Sequence, residues 1–266
     1  MIYAVLIILC LIIAMILYMF LETFLLKVSR VSFSSGKSGL KILHISDIHI
    51  KYMNVSVKKI QRVIKFENPD LILLSGDYIN SAKNTVSFLN FLDKITGFCK
   101  IVASLGNHEY EAFPNNEEGL NGFIGQIKDR NVEVLQNQTL TFEIDNKKYK
   151  IIGLKGKRNV DIDPSEFNDS DKNTTVIVLS HNPDTILQVP KNTVDYMFCG
   201  HFHGGQIWMP FNLEYLLLRN DKLCRMGMKR GLHEYNGIKL YISRGLGCVC
   251  VPFRFLSIPE ISVYTL

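Results

Sequence analysis

Residues 1–21 (MIYAVLIILCLIIAMILYMFL) carry no charged side chain, no proline and no glycine. No other stretch limits so strongly what the chain can fold into. A helix of this length rises about 30 Å, the thickness of a bilayer's hydrocarbon core. It is apolar on every face, so it has no polar side to turn toward water and is poorly suited to packing on a soluble core. A cleavable secretory signal would have a basic start, a shorter apolar stretch and a small-residue cleavage site. Here no basic residue precedes the run and no A-x-A comes after it. Residues 1–27 are therefore read as an uncleaved, single-pass anchor in the lipid bilayer. Lys27, Arg30, Lys37 and Lys41 all lie beyond the run, so the positive-inside rule places the remainder in the cytoplasm.

The chain beyond the anchor must fold in water. Ser32–Gly39 (SFSSGKSG) is small and polar, so residues 28–40 are expected to join the anchor to one domain spanning 41–266. The chain is 47% hydrophobic and 21% charged, too apolar for disorder and sufficient for a sizeable core. Apolar runs at 41–46, 71–74 and 101–105 predict strands, and the amphipathic stretches 55–66 and 86–95 between them predict helices. That β-α-β-α-β order implies parallel neighbours with helices on the sheet. After a helix-like stretch at 119–128, the pattern turns strand-rich: 132–135, 140–144, 149–154, 176–179, 196–199, 240–243 and 260–264. The polar clusters at 145–148 and 168–173 are turns or exposed loops. Two sheets packed in one domain are expected. Cys99, Cys199, Cys224, Cys248 and Cys250 show no C-x-x-C spacing and are expected as reduced, mostly buried thiols. The sequence carries no signal for oligomeric state.

Five polar blocks stand at the C-terminal ends of apolar strands: Asp47-Ile-His49, Gly76-Asp77, Gly106-Asn107-His108-Glu109, His181-Asn182 and Gly200-His201-Phe-His203-Gly-Gly205. In open α/β sheets that edge binds ligands. Asp47 with His49, and His201 with His203, are i, i+2 pairs whose side chains would point the same way on extended backbone. Histidine, aspartate and asparagine donors without cysteine suit Mn, Fe or Zn rather than a thiolate-rich structural zinc site. There are too many donors for one four-coordinate ion. Two divalent ions sharing a bridging carboxylate would use them, an arrangement suited to in-line displacement at phosphorus. Each block alone is weak, but five of the seven histidines fall inside them.

In this order the blocks resemble the D-x-H, G-D, G-N-H-[ED], H and G-H-x-H pattern of the calcineurin-like metallophosphoesterases. The stretches 200–207, 243–247 and 259–261 look like those of a membrane-associated bacterial subgroup that includes enzymes similar to UDP-2,3-diacylglucosamine pyrophosphatase. The resemblance implies an α/β fold in which two mixed β-sheets pack as a sandwich flanked by helices, four layers in the order αββα. It implies one metal on Asp47, His49 and His203, a second on Asn107, His181 and His201, and Asp77 bridging them. It further implies attack by a hydroxide between the ions on a phosphodiester or pyrophosphate, with His108 binding a phosphoryl oxygen or protonating the leaving group. Asn80 stands where many relatives have an aspartate that orients the histidine of G-N-H. It is expected to position His108 less strongly than a carboxylate would.

Other residues have blander readings beside the functional ones. His44 lies three positions before Asp47 and is read as structural on the opposite face; His233 is read as a surface residue. Glu109 is expected to anchor a backbone or histidine N–H. Arg244 and Arg254 fit contact with substrate phosphate and fit packing equally. Trp208–Phe211 and Tyr215–Leu218 could line an entry for a lipid tail, but ordinary core is favoured. The substrate expected is a phosphate ester, lipid-linked in view of the anchor. A catalytically silent scaffold is disfavoured because no expected ligand position is lost. A nuclease is disfavoured because the net charge is only +5 and no Lys/Arg stripe offers a path for nucleic acid.

Overall fold

The alternation of apolar and amphipathic stretches resolves into two six-stranded mixed sheets. The computed structural model describes residues 1–33, 39–156, 167 and 173–266. In chain order its elements are α1 (Ile2–Glu22), β1 (Lys27–Ser32), β2 (Lys41–Ile45), α2 (Val57–Glu67), β3 (Leu71–Ser75), α3 (Thr85–Leu92), β4 (Lys100–Ser104), α4 (Asn107–Ala112), α5 (Glu117–Lys128) and β5 (Val132–Leu135). Then come β6 (Gln138–Ile144), β7 (Lys147–Gly153), β8 (Thr174–Leu179), β9 (Tyr196–Cys199), α6 (Leu213–Leu218), α7 (Lys222–Arg225), β10 (Gly231–Tyr235), β11 (Ile238–Ile242) and β12 (Glu260–Thr265). The first sheet runs β1-β12-β2-β3-β4-β5 and the second β10-β11-β9-β8-β7-β6. Strands β2 to β5 are parallel, as are β7, β8, β9 and β11.

Both faces of the inner strands are covered, which is why they are continuously apolar rather than alternating. In β3, Ile72 and Leu74 pack toward the helices, against Ile60 and Ile64 of α2, Phe88 of α3 and Phe123 of α5. Leu71 and Leu73 face the second sheet, where Ile151, Ile177 and Phe198 meet them. The outer face of that sheet is covered by Ile186, Tyr215, Leu223 and Cys224 from a 3-10 turn and the short helices α6 and α7. The four layers expected are present. The outermost is thin.

The joining stretch needs correction. Lys27–Ser32 is a strand, pairing in parallel with β12 from Lys27↔Glu260 to Ser32↔Thr265. Its pattern, K-V-S-R-V-S, has only two apolar residues and looks like a loop. Backbone pairing to β12 makes it an edge strand, and Arg30 ties it to the domain by donating to Glu67 Oε1 at 2.8 Å. Residues 34–38 of the joining stretch and 168–172 of the polar loop lie outside the described residues. The apolar segment after the G-H-x-H block also needs correction. Tyr215 is buried, but Trp208, Phe211, Leu216 and Leu217 are exposed, so this is not ordinary core.

Helix α1 is long and apolar enough to cross a membrane, and its apolar surface is uncovered. Its final turn is nevertheless fixed to the domain. The buried Glu22 carboxylate accepts the backbone N–H groups of Ser257 at 2.7 Å and Leu256 at 3.0 Å.

His44 lies between the sheets, its Nδ1 2.9 Å from Tyr264 Oη and its Nε2 2.7 Å from Ser75 Oγ. Burial pushes its pKa down to about 3. The folded state holds it neutral while an unfolded chain would protonate it below about pH 6.5. Its contribution is therefore complete above that pH and is lost as pH falls toward 3, by at most about 1.4 kcal/mol per unit. In urea titrations at pH 7 and pH 5, His44→Gln should flatten this acid slope by up to one proton. An unchanged slope would assign that proton elsewhere.

Candidate metal centre

The carboxyl ends of β2, β3 and β4 from one sheet and β8 and β9 from the other open onto a common edge, and each of the five polar blocks lies just past one of them. The convergence is real but does not come from strand alternation. Asp47, His49, Asp77, His201 and His203 have φ of 47°, 37°, 56°, 72° and 51°. The chain turns left-handed as it leaves β2, β3 and β9, a conformation that costs about 1–3 kcal/mol per non-glycine residue and concentrates at functional sites. One consequence is that His201 and His203, expected to share a point by spacing alone, part into different clusters. Gly200 lets the second sheet approach the first: a Cβ there would lie 1.7 Å from Ser46 Oγ and 2.3 Å from Asp47 Oδ2.

Asp47, His49 and His203 form one buried triad and Asp77, His181 and His201 another, with His201 on its outer side; between them His49 and Asp77 also group with His108. In the first, His203 Nε2 stands 3.3 Å from Asp47 Oδ1 and 3.2 Å from His49 Nε2. In the second, His181 Nε2 stands 3.1 Å from both Asp77 Oδ2 and His201 Nδ1. Asp77 Oδ2 is also 3.5 Å from His49 Nε2, so this carboxylate faces both triads. Asn107 Oδ1 is buried without a hydrogen-bond partner, an oxygen lone pair with no proton to accept. Burial holds His49 down at about 4 and His203 well below the ordinary histidine value. Burial likewise opposes charge on His181, but Asp77 outweighs it and raises His181 to about 9. Most of these imidazoles present a lone pair, and the proton retained between His181 and Asp77 occupies ground a cation would take. The oxygen and nitrogen donors fit two divalent ions.

Surrounding groups aim the donors. Asp47 accepts Ser46 Oγ–H at 2.6 Å and the His201 backbone N–H at 2.9 Å and 3.1 Å. His181 Nδ1 is 2.8 Å from the Ser75 carbonyl, which fixes the proton on Nδ1 and leaves Nε2 facing Asp77. Glu109, fully buried, accepts the backbone N–H groups of Asp77, Tyr78, Ile79 and Gly106 at 3.0, 2.6, 3.2 and 2.7 Å. It thus joins the loops that carry Asp77 and Asn107. Burial and the Asp77 charge push its pKa up to about 8, against the pull of the Gly106 and Ile79 N–H groups toward the carboxylate.

Asn80 does something other than expected. Its side-chain amide lies 2.9 Å from His49 Nδ1, and His108 is instead flanked by Glu111, whose Oε2 is 3.4 Å from His108 Nδ1. A short amide reaches the ring nearest its own loop, and the carboxylate one helical turn along α4 reaches His108. His108 stands half-buried at the mouth, its Nε2 3.9 Å from Asp77 Oδ2 and its ring edge-on to His49. Arg244 lies beside Gly204, immediately after His203. Sequence reasoning missed Ser46, Ser75, Glu111 and Asp221, the last 3.5 Å from His201 Nε2. None of them has a local pattern to mark it. Arg254 is not at the surface: it is fully buried and bonds to backbone carbonyls.

A family model described as calcineurin-like phosphoesterase matches residues 40–205. The metallophosphoesterase YkoQ of Bacillus subtilis is 32% identical over 232 residues, covering 86% of this chain and 84% of its own length. The UDP-2,3-diacylglucosamine pyrophosphatase LpxG of Chlamydia muridarum is 28% identical, with 91% of this chain and 90% of its own covered. The phosphodiesterase YaeI of Escherichia coli is also 28% identical, over 88% and 84% respectively. Among solved structures, the Thermus thermophilus sulfate thiohydrolase SoxB superposes with a TM-score of 0.51 at 10% identity, over 88% of this chain and 58% of that one. That last likeness is one of fold alone.

Proposed function

This chain belongs to the calcineurin-like phosphoesterase family and is a metal-dependent hydrolase of phosphoric esters, and from that premise we propose that it cleaves a phosphodiester or pyrophosphate bond in a lipid-linked substrate while anchored in a bilayer by α1. The observation that carries the reading is the position of Asp77 between two donor triads. Asp47, His49 and His203 would hold one ion, and Asn107, His181 and His201 the other. Two divalent cations there would supply Lewis acidity and bring water toward deprotonation near neutral pH. The residues do the rest. Asp77 keeps the two triads in register, and Glu109 fixes the loops beneath it. His108, half-buried at the mouth with Glu111 beside its Nδ1, is placed to donate a proton to the leaving oxygen or a hydrogen bond to the phosphoryl group. Arg244 is near enough to the His203 loop to meet substrate phosphate.

The lipid part of the reading rests on α1 and on a relative named for a diacylated UDP-sugar. A tether raises the effective concentration of an enzyme at a surface where an acylated substrate resides. Lys27 and Arg30 after the helix support a cytoplasmic domain.

Full-length protein in detergent, stripped by a chelator, should hydrolyse no aryl phosphodiester and should regain activity with Mn²⁺. Activity indifferent to chelation would overturn the metal reading. His108→Ala should retain both ions by elemental analysis and lose about 10²–10⁴-fold in kcat. A kcat within a few-fold of the parent would remove His108 from the chemistry. A panel of monoesters, diesters, nucleic acid and acylated UDP-sugars then tests the substrate class, and preference for nucleic acid would favour the nuclease reading.

A further inference from the structure

Apolar side chains are left in water on one face of the domain. Trp208, Phe211, Leu216 and Leu217 are 40%, 87%, 56% and 71% exposed within a run of ten residues, and Leu256 nearby is 48% exposed. Isolated exposed leucines are ordinary, but a cluster of this kind marks an interaction surface. Phe211 adds an energetic anomaly. It has φ of 58° and is succeeded by Asn212 at 60°. A left-handed aromatic residue is rare and costs about 1–3 kcal/mol, yet here the strain only holds a ring out of the domain.

The position of this cluster says what covers it. The Trp208 backbone N–H donates to the Phe255 carbonyl at 2.9 Å, and the Phe255 ring meets Tyr18 of α1 edge-on at 5.9 Å. The Arg254 backbone N–H donates to the Met19 carbonyl at 3.0 Å, and Phe253 packs on Phe20. The segment is thus fastened beside the last turn of α1, with Tyr18 about 6 Å along the axis from Glu22. The bonds from Ser257 and Leu256 to Glu22 keep the domain from swinging away. Cations stand at the same end. Lys59 donates to the Phe24 carbonyl at 2.9 Å, and Lys58, Lys59 and Arg62 are exposed on α2. Aromatic and basic side chains ringing the exit of an apolar helix suit the boundary between acyl chains and anionic headgroups.

We propose that this face seats on the bilayer surface, Trp208, Phe211, Leu216 and Leu217 entering the lipid boundary and Lys58, Lys59 and Arg62 meeting anionic headgroups. The proposal rests on α1 being a membrane anchor. It also orients the metal centre. Tyr215 of the same segment packs on Phe202, between His201 and His203, so the turn carrying both histidines lies directly behind the lipid-facing surface.

Trp208 is the sole tryptophan in the chain, so fluorescence excited selectively at the red edge of the absorption band, where tyrosine does not absorb, reports this face alone. Full-length protein is reconstituted into vesicles of phosphatidylcholine and phosphatidylglycerol whose acyl chains are brominated near the headgroup. Emission should be at least halved relative to unbrominated vesicles and should be shielded from acrylamide. The double variant Phe211→Ser/Leu217→Ser should float with the vesicles and hydrolyse a soluble aryl ester as the parent does, yet lose the quenching. A vesicle-bound parent whose Trp208 is unquenched and open to acrylamide overturns the proposal while leaving the anchor intact. Trp208 unquenched but shielded overturns it in favour of a protein partner or a second copy. A chain that does not float with vesicles overturns the anchor reading and this proposal with it.

Discussion

Replacing Asp77 by Asn lowers kcat/KM on an aryl phosphodiester by about 10³-fold, equivalent to about 4 kcal/mol of transition-state stabilisation, and lowers the bound metal from two ions per chain. The expectation comes from position. One carboxylate oxygen faces His181 at 3.1 Å, His49 at 3.5 Å and His108 at 3.9 Å, and so looks onto both triads. The other oxygen accepts the His108 backbone N–H at 3.0 Å, a bond that an asparagine carbonyl retains. The variant keeps the shape of the loop and loses the negative charge between the triads. Removing the charge also weakens the hold on the His181 proton, because Asp77 does most to raise that pKa, ahead of Asp47 and the Ser75 carbonyl. Elemental analysis of the purified variant checks the stoichiometry, and its melting curve checks that the loop is intact. Two ions retained with kcat/KM within tenfold of the parent would show that the two triads do not depend on a shared carboxylate.

How much of the fold and the site was legible in the sequence varies by the range of the interaction. That the seven candidate donors gather at one edge was legible because each comes after an apolar run, and a polar block at the end of a buried strand has one sheet edge to occupy. His44 was placed correctly by counting three positions back from Asp47 along a strand. The backbone that makes the donors converge was not legible. Left-handed φ at Asp47, His49, His201 and His203 is imposed by the fit of two sheets, and no residue pattern announces it. Strand β1 was hidden because an edge strand with two valines needs a partner more than 200 residues away to become a strand. Asn80 was assigned to the wrong histidine because sequence order does not say which ring lies nearest. The segment from Trp208 was read as core because an apolar pattern cannot distinguish a protein interior from an exposed apolar face.

Arg254, read from the sequence as fitting phosphate contact and packing equally, is a packing residue and yields the second large expectation: Arg254→Met destabilises the domain by about 3–5 kcal/mol and weakens metal binding by about 10–100-fold. The side chain is fully buried. Its guanidinium donates to the carbonyls of Ser257 at 2.7 Å, Arg244 at 2.9 Å and Gly245 at 3.2 Å, and to that of Gly247. Those carbonyls belong to the loop that backs the first triad. A Cβ on Gly245 would lie 2.5 Å from Asp47 Cβ, and the Gly247 N–H donates to the Asp47 carbonyl at 2.7 Å. Methionine would fill much of the volume while leaving four buried acceptors dry, each costing about 1–3 kcal/mol before relaxation. The loop would then move, and Asp47 and His49 with it. Lysine is a discriminating second variant: a single ammonium keeps the charge but cannot span four carbonyls as a planar fork does. Urea unfolding monitored by far-ultraviolet circular dichroism, with and without Mn²⁺, separates the two consequences. The metal-free comparison reports the dry carbonyls, and the added loss with metal reports the displaced ligands. Arg254→Lys should fall between the parent and Arg254→Met in both. If Arg254→Met unfolded within about 0.5 kcal/mol of the parent, as a surface substitution would, the loop would have to be held by its own backbone bonds to Ser46 and Asp47 rather than by the guanidinium.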